Sequence, residues 1–432
     1  MTFLKATAVM LSGRVVGAGL GFAISMLAAR ILSPAEFGAV VAAIAALGLL
    51  GRAASLGLGQ SAQYWGATEK QGGASYALTI LVATLAPAVF LTAALFVASP
   101  VITTALLGDE ARAHEVFGAL MYAAPLILLH FVMSTYLLGR RRIQTYQILT
   151  NAPLAVTAAY LAWTLLRGGG IGDVILAYQL QYGLAILLTL ALYLADRRKP
   201  APLRDAIGGV GRYAMKSYVV FILAFAAGQI AVLIGAHFTV ASELARFAVA
   251  RVWSEGVMVI YGAIGPLVMS YVGGMKGEES RRFIGPVARL SLLIFLGSGA
   301  LFAAAAPLAV PLLFGQPYAG SWVLVLIVMP GLAISGSQRV LENYLYGRNK
   351  QGLMSLVHVA SIITLFAAGA WLIPQYGAAG LAWATTLSYF GSYLLTSLLL
   401  YRTEGIALHE HLLPRPSDLR LLVDRVRTIR TR

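Results

Sequence analysis

The sequence predicts an all-α polytopic membrane protein, with about twelve transmembrane helices in two parallel-repeat six-helix lobes around a central cavity. Three observations lead there. Of 432 residues, 59% are hydrophobic and 11% are charged, against about 25% charged in soluble domains. Apolar runs of about 20 residues, long enough for a bilayer core, recur from end to end. A pattern near Tyr136 returns 208 residues later.

The first two runs, near 10–30 and 37–58, form a hairpin joined at Ser33-Pro34-Ala35-Glu36-Phe37-Gly38. At helical spacing Gly13, Gly17, Gly21 and Ser25 share one face with Arg14 beside it, and Gly48, Arg52, Ser55 and Gly59 share a face of the second run. Small residues admit a close neighbour. An arginine at mid-bilayer costs about 2.5–3.5 kcal/mol even on the lenient insertion scale, so it faces a partner or a wet cavity. The competing role for Arg14 and Arg52, near the cytoplasmic ends of their runs, is snorkelling to the headgroups.

Further runs lie near 76–98, 117–138, 148–167, 174–195, 214–236, 247–270, 287–309, 320–345, 353–373 and 378–400. Lysine and arginine gather in alternate loops: Lys70, Arg140-Arg141-Arg142, Arg197-Arg198-Lys199, Lys276 with Arg281-Arg282, and Arg348 with Lys350. By the positive-inside rule both termini are cytoplasmic. That distribution gives the net charge of +15 a membrane meaning and argues against nucleic acid as a partner. The first run, followed at once by a second and without a clear cleavage pattern, reads as retained. Zero cysteines exclude disulfides, thiolate metal sites and a cysteine nucleophile.

The repeat matches Tyr136-Leu137-Leu138-Gly139-Arg140 to Tyr344-Leu345-Tyr346-Gly347-Arg348, and the same offset carries Trp163 to Trp371, Gly169 to Gly377 and Tyr193 to Tyr401. An offset of six helices preserves orientation, so the halves are parallel repeats. The chain divides into an N-terminal lobe at 1–195, a basic cytoplasmic linker at 196–213, a C-terminal lobe at 214–400 and a basic tail at 401–432. In the tail, Leu419, Leu422, Val423, Val426 and Ile429 among arginines suit an amphipathic helix on an anionic leaflet. Two facing lobes are the architecture of alternating access.

Charged residues inside the runs are the functional candidates. Arg251 and Glu255 are four apart, and Arg339 and Glu342 three apart, spacings that put acid and base on one helix face. A structural ion pair is the competing role for the former, snorkelling for Arg339. Gly331, Ser335, Arg339, Glu342 and Tyr346 make a polar stripe suited to a cavity wall. His130 and His358 titrate near neutral pH and are candidates for proton coupling, with structural hydrogen bonding as the alternative. Pro87, Pro125, Pro153, Pro266 and Pro330 fall in or near runs and predict kinks. No phosphate-binding loop, nucleophile elbow or metal-ligand spacing is present, so neither a cofactor nor a metal is expected. Asp109-Glu110 reads as a solvated turn.

Three stretches carry a family resemblance. Ala29-Arg30-Ile31-Leu32-Ser33-Pro34-Ala35-Glu36-Phe37-Gly38, Leu312-Leu313-Phe314-Gly315-Gln316-Pro317-Tyr318 and Leu372-Ile373-Pro374-Gln375-Tyr376-Gly377-Ala378-Ala379-Gly380-Leu381-Ala382 resemble the polysaccharide transporters, the Wzx-type lipid-linked oligosaccharide flippases. That family belongs with the lipid II flippases and the multidrug and toxin extruders, two six-helix lobes around a cavity. The resemblance implies export of an undecaprenyl-pyrophosphate-linked sugar unit across the bacterial inner membrane, with glycosyltransferases and a polymerase of the same pathway as partners. It also implies a cationic cavity. Lipid II flippases have arginines in spans one, two and eight, and Arg14, Arg52 and Arg251 stand in similar places, with Arg339 added by its position in span ten. The chain lacks the two further C-terminal spans of the lipid II flippases, which argues against a peptidoglycan precursor. A cation-coupled multidrug extruder is the alternative, and the excess of arginine over acid in the runs disfavours it. A membrane glycan polymerase or ligase is a third reading, disfavoured by short outer loops.

Overall fold

The computed structural model describes residues 3–68, 75–194, 203–273, 275, 277–412 and 415. Every element is helical, and among the described residues no strand forms. The helices are α1 (Phe3–Ile31), α2 (Pro34–Ala53), α3 (Leu58–Thr68), α4 (Ala77–Leu107), α5 (Ala111–Leu120), α6 (Ala123–Gly139), α7 (Ile143–Leu166) and α8 (Ile171–Leu194). They continue as α9 (Leu203–Phe238), α10 (Ala241–Glu255), α11 (Met258–Gly273), α12 (Gly277–Phe314), α13 (Ser321–Gly347), α14 (Gln351–Glu404) and α15 (Leu408–Leu412). The chain is a multi-pass membrane protein. Among the described residues nine helices are long and apolar enough to cross a membrane, or ten if the bent pair α5–α6 is one span.

Twelve spans are not reached by that measure, for local reasons. The predicted eighth run is two shorter helices, α10 and α11, broken at Gly256-Val257, where the N–H groups of both residues bond carbonyls three back. The predicted second run ends at Ala53, and Leu56 and Gly57 take positive φ before α3 starts. The predicted fourth run is bent by 52° between α5 and α6. Conversely α14 has 54 residues, which unbroken would reach roughly 80 Å at 1.5 Å per residue. Gly377, at φ 53° and ψ −129°, kinks it. The linker's residues from Leu203 onward are helical, as the start of α9. The amphipathic helix expected in the tail lies outside the described residues.

The start of α2 shows why the first hairpin folds as it does. Ser33 accepts from the Glu36 N–H, the Glu36 carboxylate accepts from the Ser33 N–H at 3.0 Å, and Pro34 occupies the first turn. Such a cap is worth about 1 kcal/mol.

The chain divides into two compact units, Met1–Val249 with Pro311–Ala319, and Ala250–Val310 with Gly320–Arg432. In the first, Gly51 and Gly66 bring helices together: a Cβ on Gly51 would lie 2.6 Å from the Ala124 carbonyl oxygen. The turn between α12 and α13 packs here too, with Tyr318 edge-on to Phe37 and Arg30 donating to the carbonyls of Leu312 and Leu313. In the second, the buried Glu404 carboxylate gathers Lys350, Arg348 at 3.7 Å, Arg281 at 3.9 Å and the Tyr344 hydroxyl at 3.3 Å, tying α12, α13 and α14.

The repeat recurs in three dimensions. After α6 the N–H groups of Arg140, Arg141 and Arg142 bond the carbonyls of Tyr136, Leu138 and Leu137; after α13 those of Arg348, Asn349 and Lys350 bond Tyr344, Tyr346 and Leu345. Ser75 lies 3.5 Å from the Tyr136 hydroxyl and Ser280 lies 3.4 Å from the Tyr344 hydroxyl. Trp163 and Trp371 are both exposed, at 52% and 67%.

Candidate functional site

The foreseen residues Gly48 and Arg52 of α2, Ser55 of the following turn and Gly59 of α3 line two adjoining chambers of the first unit, of about 370 and 350 Å³. Arg52 lines both, with Phe131, Thr135 and Phe225. Its guanidinium carbon lies 3.8 Å from the centre of the Phe131 ring and 5.1 Å from that of Phe225. Gly59 makes the nearer contact possible: a Cβ there would lie 2.5 Å from the Phe131 ring. On the other side the Tyr218 hydroxyl donates to the Ala53 carbonyl at 2.5 Å, fixing α9 against the end of α2.

Stacking on ring faces stabilises the cation and fixes its plane, but it leaves the N–H donors free. Among the described residues nothing forms an ion pair or hydrogen bond with the Arg52 side chain, and no aspartate or glutamate lines either chamber. A guanidinium held in place without a counter-ion has donors with the geometry to pair with an acceptor-rich anion.

His130 lines the first chamber beside Arg52. Its Nδ1 lies 3.2 Å from the Thr189 hydroxyl, whose proton goes to the Ala185 carbonyl at 2.6 Å. Thr189 therefore accepts, so Nδ1 of His130 is the donor. Arg14, by contrast, is exposed on α1 and lines neither chamber. Gly13 and Gly17 on the same helix instead receive α7, where Gln147 donates to the Met10 carbonyl at 3.2 Å and Asn151 to the Gly13 carbonyl at 2.9 Å.

The remaining candidates lie in the second unit. Arg251 and Glu255 are bonded to each other at 2.6 Å. Arg339 and Glu342 are not. Arg339 sits over the Tyr261 ring at 5.6 Å, while Glu342, 8% exposed, accepts from the Tyr346 hydroxyl and from His358 Nε2 at 3.2 Å, both on Oε1. Asn343 braces the Arg339 side, donating to the Tyr261 hydroxyl at 2.7 Å and to the Arg339 carbonyl at 2.8 Å. The structure thus joins Glu342 to His358 across α13 and α14.

Sequence reasoning missed Phe131 and Phe225, which look like ordinary core in an apolar run. It also missed Tyr146, Thr150, Gln181 and Tyr182 of the first chamber. For these there was a signal: polar groups interrupting the fifth and sixth runs. Among the described residues no group of three metal-ligating side chains converges.

A family model described as polysaccharide biosynthesis protein matches residues 27–323. A search of curated protein sequences finds no match. Among solved structures, an inward-facing multidrug resistance MATE family transporter of the MOP superfamily matches with a TM-score of 0.74 at 15% identity, over 92% of this chain and 98% of that one. The lipid II flippase MurJ in an inward closed conformation matches with a TM-score of 0.72 at 10% identity, over 94% and 89%. A MOP superfamily transporter from Pyrococcus furiosus matches with a TM-score of 0.65 at 15% identity, over 93% and 95%. These likenesses establish the fold, and the family match covers most of the chain: it belongs to the polysaccharide biosynthesis protein family and has the fold of the MOP-superfamily transporters.

Proposed function

We propose that this protein flips an anionic lipid-linked oligosaccharide, of the undecaprenyl-pyrophosphate class that builds O-antigen, capsule or exopolysaccharide, across the bacterial inner membrane. The observation that carries the reading is Arg52, stacked on two phenyl rings, without a counter-ion, in chambers free of carboxylates. The guanidinium fork donates two parallel hydrogen bonds to the pyrophosphate, a geometry that lysine does not offer. Alternating access of two repeats, 1–195 and 214–400, joined by the basic linker 196–213, then carries the headgroup across while the lipid tail stays in the bilayer. Both termini are cytoplasmic in this scheme, and glycosyltransferases and a polymerase of the pathway supply and consume the glycan. Arg14, Arg251 and Arg339 are secondary anion contacts; of these Arg251 must first part from Glu255.

The Glu342–His358 pair is the candidate coupling site. The other paired carboxylates described above have an arginine or lysine, whereas the ion-pair partner of Glu342 is a titratable imidazole. One proton more or less changes the charge of that buried pair.

The test is a host lacking this protein, with lipid-linked glycan on the outer leaflet read by an added lectin. The intact chain restores accessible glycan; Arg52→Ala and Arg52→Lys, present in the membrane at normal level, do not. Normal export by both variants refutes the reading. Unchanged glycan with raised sensitivity to cationic toxins puts a multidrug extruder in its place.

A further inference from the structure

The first chamber has a polarity opposite to that of its arginine. Thr150 spends its hydroxyl proton on the Tyr146 carbonyl at 3.0 Å, Ser134 on that of Phe131 at 3.0 Å, and Thr135 on that of Val132 at 2.8 Å. Each oxygen is then left with lone pairs only. His130, committed to donating through Nδ1, keeps Nε2 as an acceptor in its neutral form. Gln181 adds an amide whose oxygen has no hydrogen-bond partner and whose NH2 group can donate. All five residues line the chamber.

The lone pairs of these groups suit a ligand rich in O–H and N–H donors, and the Tyr146 and Tyr182 hydroxyls of the same chamber can donate as well as accept. The same chamber is lined by Tyr146 and Tyr182, aromatic side chains of the kind against which the C–H groups of a sugar pack. A volume of about 370 Å³ equals that of about a dozen waters at ~30 Å³ each, enough for a pyranose ring. Resting on the anionic reading of Arg52, we propose that this chamber is a sugar subsite: it takes the saccharide attached directly to the pyrophosphate, and it takes that saccharide uncharged. Arg52 holds the acceptor-only pyrophosphate at the chamber's edge, and Thr150, Gln181, Ser134 and His130 accept from the sugar's hydroxyl or acetamido donors. A uronic acid in this position sets its carboxylate against those lone pairs and binds more weakly than the neutral sugar.

The experiment uses the purified full-length chain in nanodiscs and three soluble probes: farnesyl pyrophosphate, farnesyl-pyrophosphate-linked N-acetylglucosamine, and farnesyl-pyrophosphate-linked glucuronic acid. Two or three neutral hydrogen bonds predict that the N-acetylglucosamine probe binds about tenfold tighter than farnesyl pyrophosphate, and that the glucuronic acid probe shows no such gain. In a Thr150→Val, Gln181→Leu chain the ratio of the first two affinities falls toward one; the melting temperature of that variant checks that it is folded. Equal binding of the neutral and acidic sugars, or a ratio preserved in the double variant, overturns the sugar subsite alone. Farnesyl pyrophosphate binding no better to the intact chain than to Arg52→Ala overturns the anion site and the subsite with it.

Discussion

Arg141 and Asn349, 208 residues apart, hold the same left-handed backbone conformation, φ 58° and 57°, one residue past equivalent helix caps. A side chain there costs roughly 1 kcal/mol relative to glycine, so both turns retain a strained residue at the repeat's most similar point. Asn349→Gly is expected to raise the thermal midpoint in detergent. Asn349→Val is expected to lower stability by about 1–2 kcal/mol. A valine variant as stable as the parent contradicts the assigned turn.

Gly59 decides where the Phe131 ring stands, and Phe131 holds Arg52. Gly59→Val is therefore expected to abolish glycan export while costing only about 1–3 kcal/mol of stability from overpacking. Lectin accessibility alongside membrane level separates the two effects. Export at the parental rate dissociates the ring from the arginine's role.

Coupling through the Glu342–His358 pair has its own signature. In inverted vesicles given either a pH gradient or a membrane potential, Glu342→Gln and His358→Gln are expected to lose the acceleration produced by the pH gradient. The response to potential is expected to persist. A pH response equal to that of the parent in both variants places coupling elsewhere.

His411, on the short α15 beyond the last span, is buried with its Nε2 3.0 Å from the Ser397 hydroxyl. Burial pulls its pKa below the usual histidine value, helped by His409 and Arg289 and opposed by the Ala407 carbonyl and Glu410. The unfolded chain then binds the proton first, so stability is full above the ordinary value near 6.5 and declines as pH falls below it. The melting temperature is expected to drop between about pH 7.5 and 5.5, and to drop less in His411→Asn. An identical slope in that variant assigns the loss to other groups.

Arg52 was legible because a charge interrupting an apolar run has few permitted surroundings, and the glycines at helical spacing told which face it shared. Phe131 and Phe225 were not legible, since phenylalanine in such a run has no pattern that separates lipid, core and cavity. Local spacing does not by itself name a partner. Arg339 lies three residues from Glu342, yet the carboxylate turns to His358 on the next helix and Arg339 turns to Tyr261. The i,i+3 relation states only what can meet; tertiary packing chooses. The break between α10 and α11 was missed for a related reason, because Gly256 in an apolar stretch reads as readily as a packing glycine as a helix end.

Gly377 has a consequence for how the chain is made. The turn it forms in α14 contains no lysine or arginine, and three residues on, Gly380 comes so close to the Leu372 carbonyl that a Cβ there would overlap it. Two apolar arms joined by a tight, uncharged corner carry no charged stretch to halt the first arm in the insertion machinery before the second emerges. The last two spans are therefore expected to enter the bilayer together as a hairpin, so that a chain truncated at Gly377 is expected to leave its final arm extractable from the membrane by alkaline carbonate.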